Sequence, residues 1–382
     1  MFYGDSGTWR RVLERHPAEE ISALQVRRSL AKGSLEAEDL WILLSPAAGR
    51  FLEEMACRAR SLTLRHFGRS VSLFVPLYLA NYCTNQCVYC SFNTHNRIPR
   101  KRLSPAQAAA EGEAIAKTGI QHLLLLTGES RTMSGPDYLQ ACVRQLRPHF
   151  ASLGIEVYPL AEEEYRELIL SGVDSLTMFQ EVYDERLYAE MHPGGPKADY
   201  HYRLNAPERA CRAGMAEVTL GALLGLGDWR REAFMTAWHG SYLQRHYPEV
   251  QVSFSLPRMR PHVGEFQPPS PVSDRSLVQI LLAYRLFLPR AGITISTREK
   301  ASLRDALVPL GITRMSAGSL TSVGGYTGSP NPESAQFEIA DERSAAEIIA
   351  MLHRQGYQPV LCDWLNMRQG AGELQKEGCS PC

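Results

Sequence analysis

Three cysteines stand as Cys83-Thr-Asn-Gln-Cys87-Val-Tyr-Cys90, a C-x3-C-x2-C run directly after an apolar, β-rich stretch. Three thiolates so close together can wrap one corner of a compact metal cluster. Structural zinc takes four ligands, usually as two Cys-x2-Cys-type pairs, and no fourth Cys or His lies at a matching interval. His95, in a polar stretch, reads as solvent-facing. A [4Fe–4S] cluster held by only three cysteines keeps one iron open, which suits catalysis better than simple electron transfer. An incomplete zinc site is the competing reading.

Other residues with chemical potential sit where apolar runs end. Thr127-Gly128-Glu129 puts a glycine, which permits close backbone approach, beside a carboxylate able to accept from a cationic amine. Gln180 and Glu181 follow another run and could bond ribose hydroxyls. Arg314 and Ser316 fall in a later run, and Arg258 follows the one before Pro257. An arginine fork holds an amino-acid carboxylate bidentately, so Arg314, supported by Ser316, is expected to fix a substrate carboxylate, with Arg258 as second candidate. The segment Gly221-Ala-Leu-Leu-Gly-Leu-Gly-Asp228 lacks a G-x-G-x-x-G before a helix, so dinucleotide binding is not expected.

The elements that must hold these residues follow from a recurring unit: an apolar run, a loop, an amphipathic helix and a glycine before the next run. Strands are expected at 71–79, 122–127, 155–160, 175–179, 217–222, 250–254, 293–296 and 313–316. Gly119, Gly172, Gly214, Gly292, Gly311 and Gly356 stand where a left-handed residue closes a helix. Ser104-Pro105 offers an N-cap followed by proline at the first helical position. The alternation predicts a parallel sheet with crossover helices, and eight strands suffice for an α/β fold of the (β/α)8 TIM-barrel type. An open doubly wound sheet has the same periodicity. Three units are expected: an N-terminal helical extension over 1–70, the barrel over 71–365, and a short cysteine-bearing tail over 366–382.

The spacing C-x3-C-x-aromatic-C, with Tyr89 in the aromatic place, resembles the signature of the radical S-adenosylmethionine (SAM) enzymes. Further stretches resemble the ThiH family of tyrosine lyases, the 2-iminoacetate synthases of thiamin thiazole formation. They include Leu126-Thr-Gly-Glu129, Phe179-Gln-Glu-Val-Tyr183, Gly195-Pro-Lys-Ala-Asp-Tyr200, the glycine-rich segment from Gly221, Ser255-Leu-Pro-Arg258 and Arg314-Met-Ser-Ala-Gly318. The likeness runs from about residue 20 to 365. It implies that Cys83, Cys87 and Cys90 ligate a [4Fe–4S] cluster whose open iron chelates SAM. It also implies that Gly128 and Glu129 hold the SAM amino group, Gln180 and Glu181 its ribose, Lys197 its carboxylate, and Gly221 and Leu223 its adenine. The implied reaction cleaves Cα–Cβ of L-tyrosine to 2-iminoacetate and p-cresol, with methionine and 5′-deoxyadenosine from SAM. Tyr183, His262 and Glu265 are conceivable bases for the phenol. The implied partners are a reductant such as flavodoxin or ferredoxin and the thiazole synthase ThiG. A tryptophan lyase, a HydG-like enzyme and a non-enzymatic iron–sulfur module are the competing readings.

The chain has 382 residues, with 41 Lys+Arg against 41 Asp+Glu, and 44% of it is hydrophobic. That is an ordinary folded composition, and zero net charge makes nucleic-acid binding through a broad field unexpected. No apolar run reaches membrane-spanning length, and the N-terminus lacks signal-peptide character, so a cytoplasmic protein is expected. An odd count of 9 cysteines argues against a disulfide framework. Cys57, Cys142 and Cys211 read as small buried hydrophobes, as does Cys362, which stands where the family usually has lysine. With Cys379 and Cys382, it suggests a redox pair, a labile metal site or an unstructured tail.

Overall fold

Apolar runs rich in β-branched residues alternate with capped helices, and in the computed structural model of the chain this alternation closes a barrel. It describes residue 2, residues 12–14 and residues 17–362. The strands are β1 (Ser70–Ala80), β2 (His122–Thr127), β3 (Ser152–Glu156), β4 (Ser175–Glu181), β5 (Glu217–Ala222), β6 (Gln251–Ser255), β7 (Gly292–Ile295) and β8 (Arg314–Ser316). All pair in parallel in sequence order, and β1 joins both β2 and β8, so the sheet has no free edge within the eight. The fold is a (β/α)8 barrel, not the open doubly wound sheet. A short ninth strand, β9 (Gln358–Val360), pairs with Ser70–Ser72 of β1 below the point where β2 takes over.

Helices α1 (Ala23–Ala31), α2 (Ala37–Leu44) and α3 (Leu52–Phe67) form the N-terminal layer. Outside the barrel follow α4 (Pro105–Ala116), α5 (Pro136–Leu146), α6 (Glu162–Leu170), α7 (Glu185–Met191), α8 (Tyr200–Leu204), α9 (Ala206–Ala213), α10 (Trp229–His246), α11 (Asp274–Phe287), α12 (Ala301–Leu307) and α13 (Ala345–Arg354). The N-terminal layer packs on α10 and α11. Buried Gln279 of α11 ties it down by donating to the carbonyls of Leu43 (2.9 Å) and Ser45 (2.8 Å). Ser104 caps α4 with a reciprocal capping box, and proline opens that helix, as the sequence predicts.

The structure corrects several expectations. The third strand starts at Ser152 and ends at Glu156, so Val157–Leu160 belongs to the loop that follows. Gly154 sits inside that strand because a Cβ there would meet Ser175 Oγ at 2.6 Å across the barrel wall. Gly292 begins β7 rather than closing a helix, whereas Gly119, Gly172, Gly214, Gly311 and Gly356 do adopt positive φ. Cys142 and Cys211 are buried as expected, but Cys57 and Cys362 are exposed. Cys379 and Cys382 lie outside the described residues. Among the described residues no helix is long and apolar enough to cross a membrane.

A closed barrel of this kind usually fills its interior with branched aliphatic side chains. Here β3 to β8 point small groups inward instead, among them Ser152, Gly154, Ser175, Thr219, Thr294 and Ser316. Bulk comes chiefly from β1, β2 and β4, as Phe74, Leu124 and Phe179. The barrel therefore keeps an open lumen lined by these residues.

Candidate active site

The cysteine loop leaves the C-terminal end of β1, the end where barrels of this type build active sites. Its backbone is pinned from three sides. Thr84 N donates to Glu129 O (2.9 Å), Gln86 N to Gly194 O (3.0 Å) and Val88 N to Met191 O (3.2 Å). Arg100 gathers the carbonyls of Asn81, Phe92, Asn93 and Asn96. Gly128 makes the approach of the β2 turn possible, since a Cβ there would meet Tyr82 O at 2.4 Å and Cys83 Cβ at 3.1 Å. Gly128→Ala must therefore push the cysteine loop aside. The expected outcome is folded protein with less than about half the wild-type iron per chain after anaerobic reconstitution.

One cleft brings Cys83, Cys87 and Cys90 together with Gly128, Glu129, Glu181 and Lys197, from four separate parts of the sequence. Burial pushes the Cys87 thiol up to about 11 and Cys90 up to about 12, so ligation rather than solvent must supply their thiolate forms. Among the described residues no three Cys, His, Asp or Glu side chains converge as for a single metal ion. A cubane instead takes its thiolates on three separate irons, and three thiols lining one cleft fit it.

The rest of the cleft fits a zwitterionic nucleoside. Asn85 Nδ2 donates to Glu129 Oε2 at 2.6 Å and orients that carboxylate. Lys197 Nζ lies 2.7 Å from Glu181 Oε1, and Arg203 approaches the same oxygen at 3.6 Å. Burial and Arg203 push the Lys197 ammonium down, but Glu181 and Cys87 outweigh them and it stays charged. Glu181 is the one non-glycine residue with positive φ (70°) among the described residues. The β4–β5 register shifts between Phe179 and Glu181, and Leu223 N donates to Glu181 O at 3.0 Å. Such a backbone costs roughly 1–3 kcal/mol and is kept where it aims a functional group.

Not every expected residue reaches the cleft. Gln180 is buried on the helix side of β4, as period-two alternation requires when Phe179 and Glu181 face inward. Tyr89 lies beneath the cysteine loop, its hydroxyl 2.6 Å from His192 Nε2 and its ring 5.5 Å from Lys197 Nζ. Gly221 and Leu223 do not line it; Gly221 leaves room for the ring of Phe179, and Leu223 packs in the core. Arg258 is a strap across loops, bound to Glu299, Asp274 and Val272 O.

Arg314 is the largest correction. It is the first residue of β8, at the floor of the barrel, and it grips Glu217 of β5 with two bonds of 2.8 Å. Its fork is already used by a carboxylate of the chain itself. Ser316 lines the lumen, but its hydroxyl accepts from Thr297 N at 3.0 Å and so supports the turn after β7. Tyr183 lies outside the barrel with its hydroxyl 3.1 Å from His239 Nδ1. His262 and Glu265 belong to the long loop after β6, which crosses to the cysteine loop. There Val263 N donates to Ser91 Oγ (2.9 Å) and Asn96 Nδ2 to Val263 O (2.8 Å).

That turn after β7 carries a residue that the sequence reading missed. Arg298 enters the lumen from the cleft end, its guanidinium carbon 3.5 Å from the Phe337 ring centroid. Among the described residues it has no ion-pair partner. Nearby, the Tyr78 hydroxyl donates to Gln336 Oε1 at 2.7 Å, and buried Ser319 Oγ, also in the lumen wall, has no hydrogen-bond partner among the described residues. Glu156, at the end of β3, lines both cavities. The lumen thus carries Arg298 at the end that adjoins the cysteine cleft, where Glu156 and Tyr78 line both.

Residues 77–236 match the model of the Radical SAM superfamily, and residues 255–358 match the Biotin and Thiamin Synthesis associated domain. Over 344 residues it is 45% identical to the 2-iminoacetate synthase of Escherichia coli K12, covering 90% of this chain and 91% of that protein. The chain belongs to the 2-iminoacetate synthase family. As a radical SAM enzyme of that family, it uses a [4Fe–4S] cluster and SAM. Among solved structures, HydG, a maturase of the [FeFe]-hydrogenase, superposes with a TM-score of 0.88 at 31% identity over 96% of this chain and 82% of that one. HydG from Carboxydothermus hydrogenoformans gives 0.86 at 33% identity, covering 95% and 86%.

Proposed function

We propose that this chain is a tyrosine lyase that splits Cα–Cβ of L-tyrosine into 2-iminoacetate and p-cresol, consuming SAM. The observation that carries the substrate reading is the open lumen with Arg298 at its cleft end. A planar guanidinium on an aromatic face, without a carboxylate of its own, suits the α-carboxylate of an amino acid. Phe74, Leu124 and Phe179 then flank an aromatic side chain, and the hydroxyl-rich wall of β3 to β8 suits a phenol better than a plain phenyl ring.

Cys83, Cys87 and Cys90 would hold the cluster, and Glu129, Glu181, Lys197 and Arg203 would hold SAM. Bound there, these groups supply an electron and a hydrogen-abstracting radical. The chain's own contribution is placement. Arg298 holds the substrate so that its amino nitrogen faces the cleft across Glu156. The loop after β6 and the segment carrying Gln336 and Phe337 roof the chamber, which keeps water and stray hydrogen donors from the reacting atoms. Loss of a hydrogen atom from the amino nitrogen lets Cα–Cβ break homolytically, leaving an imine on one fragment and a 4-hydroxybenzyl radical on the other, which takes one more electron from the reductant and a proton to become p-cresol.

The reaction requires a one-electron reductant, for which a flavodoxin or ferredoxin is suited. We infer a thiazole synthase as recipient, because 2-iminoacetate hydrolyses readily and gains from direct transfer. Anaerobic incubation with SAM, a strong reductant and each aromatic amino acid tests the reading. Tyrosine should give p-cresol, whereas an indole product from tryptophan, without p-cresol from tyrosine, would replace the proposal by a tryptophan lyase.

A further inference from the structure

The barrel wall holds a second charged group that neither the fold nor the cofactor site uses. Glu156 ends β3 on the wall common to the cleft and the lumen, together with Tyr78, Leu126, Thr177 and Phe179. Among the described residues its carboxylate has no ion pair and no hydrogen bond from the protein. Arg298 lines the same lumen and feels the Glu156 charge, yet among the described residues the two form no ion pair. Opposite charges facing a buried chamber normally collapse into a pair, because neither tolerates the interior alone. Held apart, they present a cation and an anion to whatever enters between them. An α-amino acid carries the complementary charges on adjacent groups.

We propose that Glu156 is a catalytic residue that receives the α-ammonium group of the substrate and removes one proton from it before hydrogen abstraction. This rests on the tyrosine-lyase reading above and specifies which protonation state of the substrate reacts. The step balances simply. One N–H bond of the ammonium breaks heterolytically, its electron pair stays on nitrogen, and the proton forms an O–H bond with a Glu156 carboxylate oxygen. Tyrosine is left as the neutral amine, with a lone pair on nitrogen that can stabilise the radical formed when a second N–H hydrogen leaves as an atom. An ammonium has no such lone pair. Position serves this role, because Glu156 stands at the boundary that the amino group must face to meet the cleft.

The electrostatics agree. Burial pushes the Glu156 carboxyl up to about 7; Arg298 pulls against this, Glu181 adds to it, and Arg203 and Lys197 oppose it. Tyr78 of β1 also feels the Glu156 charge. A base poised near neutrality can take a proton from the substrate and return it later.

The test uses full-length, cluster-loaded protein with SAM, reductant and tyrosine, comparing wild type with Glu156→Gln and Glu156→Asp between pH 6 and 9. Wild-type p-cresol formation should be level above about pH 7 and fall below it, as Glu156 becomes protonated. Glu156→Gln, which keeps the shape and loses the base, should lower kcat at pH 7 by at least about tenfold. Its rate should climb about tenfold per pH unit, because only tyrosine already neutral in solution can then react. Glu156→Asp should restore the level profile at a reduced rate. SAM affinity, read by equilibrium binding, should not change in Glu156→Gln. A wild-type kcat and profile in Glu156→Gln would overturn the proposal. So would weakened SAM binding with tyrosine kinetics intact, which would assign the carboxylate to the cofactor. Absence of p-cresol from the wild-type protein would instead overturn the lyase reading, and this proposal with it.

Discussion

Arg298→Met is expected to reduce kcat/KM for tyrosine about a thousandfold, while 5′-deoxyadenosine still forms from SAM without p-cresol. The magnitude follows from removing one partner of a desolvated charge pair, which costs about 2–5 kcal/mol. Arg298 stacks on Phe337 and donates to the carbonyl of Arg258, while the other arginine of the lumen wall, Arg314, is engaged by Glu217. Arg298→Lys keeps the charge but loses the fork and its stacking on Phe337, so it should recover only part of the deficit. Comparing p-cresol with 5′-deoxyadenosine in both variants checks the assignment, because a purely structural arginine would depress both products together. Equal kcat/KM in wild type and Arg298→Met would remove the residue from substrate binding.

Arg314→Met should act through stability instead. Removing the guanidinium strands Glu217 in the barrel floor, where Ser253 Oγ is its other close partner at 2.6 Å. The expected loss is about 3 kcal/mol, the low end for breaking a buried pair because the lumen partly solvates this one. Denaturant unfolding measures it, and the tyrosine KM of the surviving folded protein should stay within about twofold. The pair also has a pH signature. Burial pushes the Glu217 carboxyl up, but the charge and hydrogen bonds of Arg314, with help from Ser253, outweigh burial and hold it below the usual value. A depressed carboxylate contributes stability above its unfolded pKa and loses it as pH falls through the folded one. Wild type should therefore lose more stability than the variant when acidified below about pH 4.5. A raised tyrosine KM with unchanged unfolding would return Arg314 to the substrate.

The contrast between these two arginines shows what the sequence discloses. That Cys83, Cys87, Cys90, Gly128, Glu129, Glu181 and Lys197 line one cleft could be expected from the sequence, because each follows an apolar run or belongs to a short motif, and strand ends in a parallel barrel share one face. Arg314 was misplaced because it begins its strand instead of ending it, and a three-residue strand gives little warning of its direction. Arg298 was missed because Thr297-Arg298-Glu299 resembles an exposed turn, although it follows β7 at the functional end. Glu156 was hidden by a strand drawn three residues too late, which buried it in a supposed interior; a charge inside an apolar run was the available signal. Gln180 could have been set aside by alternation alone. Pairing of two charges across a barrel depends on stagger between strands, and one-dimensional spacing does not encode that.

The small residues lining the lumen leave the apo fold with an unfinished interior. Contacts that aliphatic layers would make in a filled barrel are forgone, so the substrate's ring becomes the missing layer. Saturating tyrosine should accordingly raise the melting temperature of the protein even where no turnover is possible, by an amount that grows as the logarithm of one plus the ratio of tyrosine concentration to Kd. Analogues lacking the ring should bring the Arg298 end to order yet leave the strands below it without support. On this view the molecule is assembled twice, once by its own chain and once by the molecule it destroys.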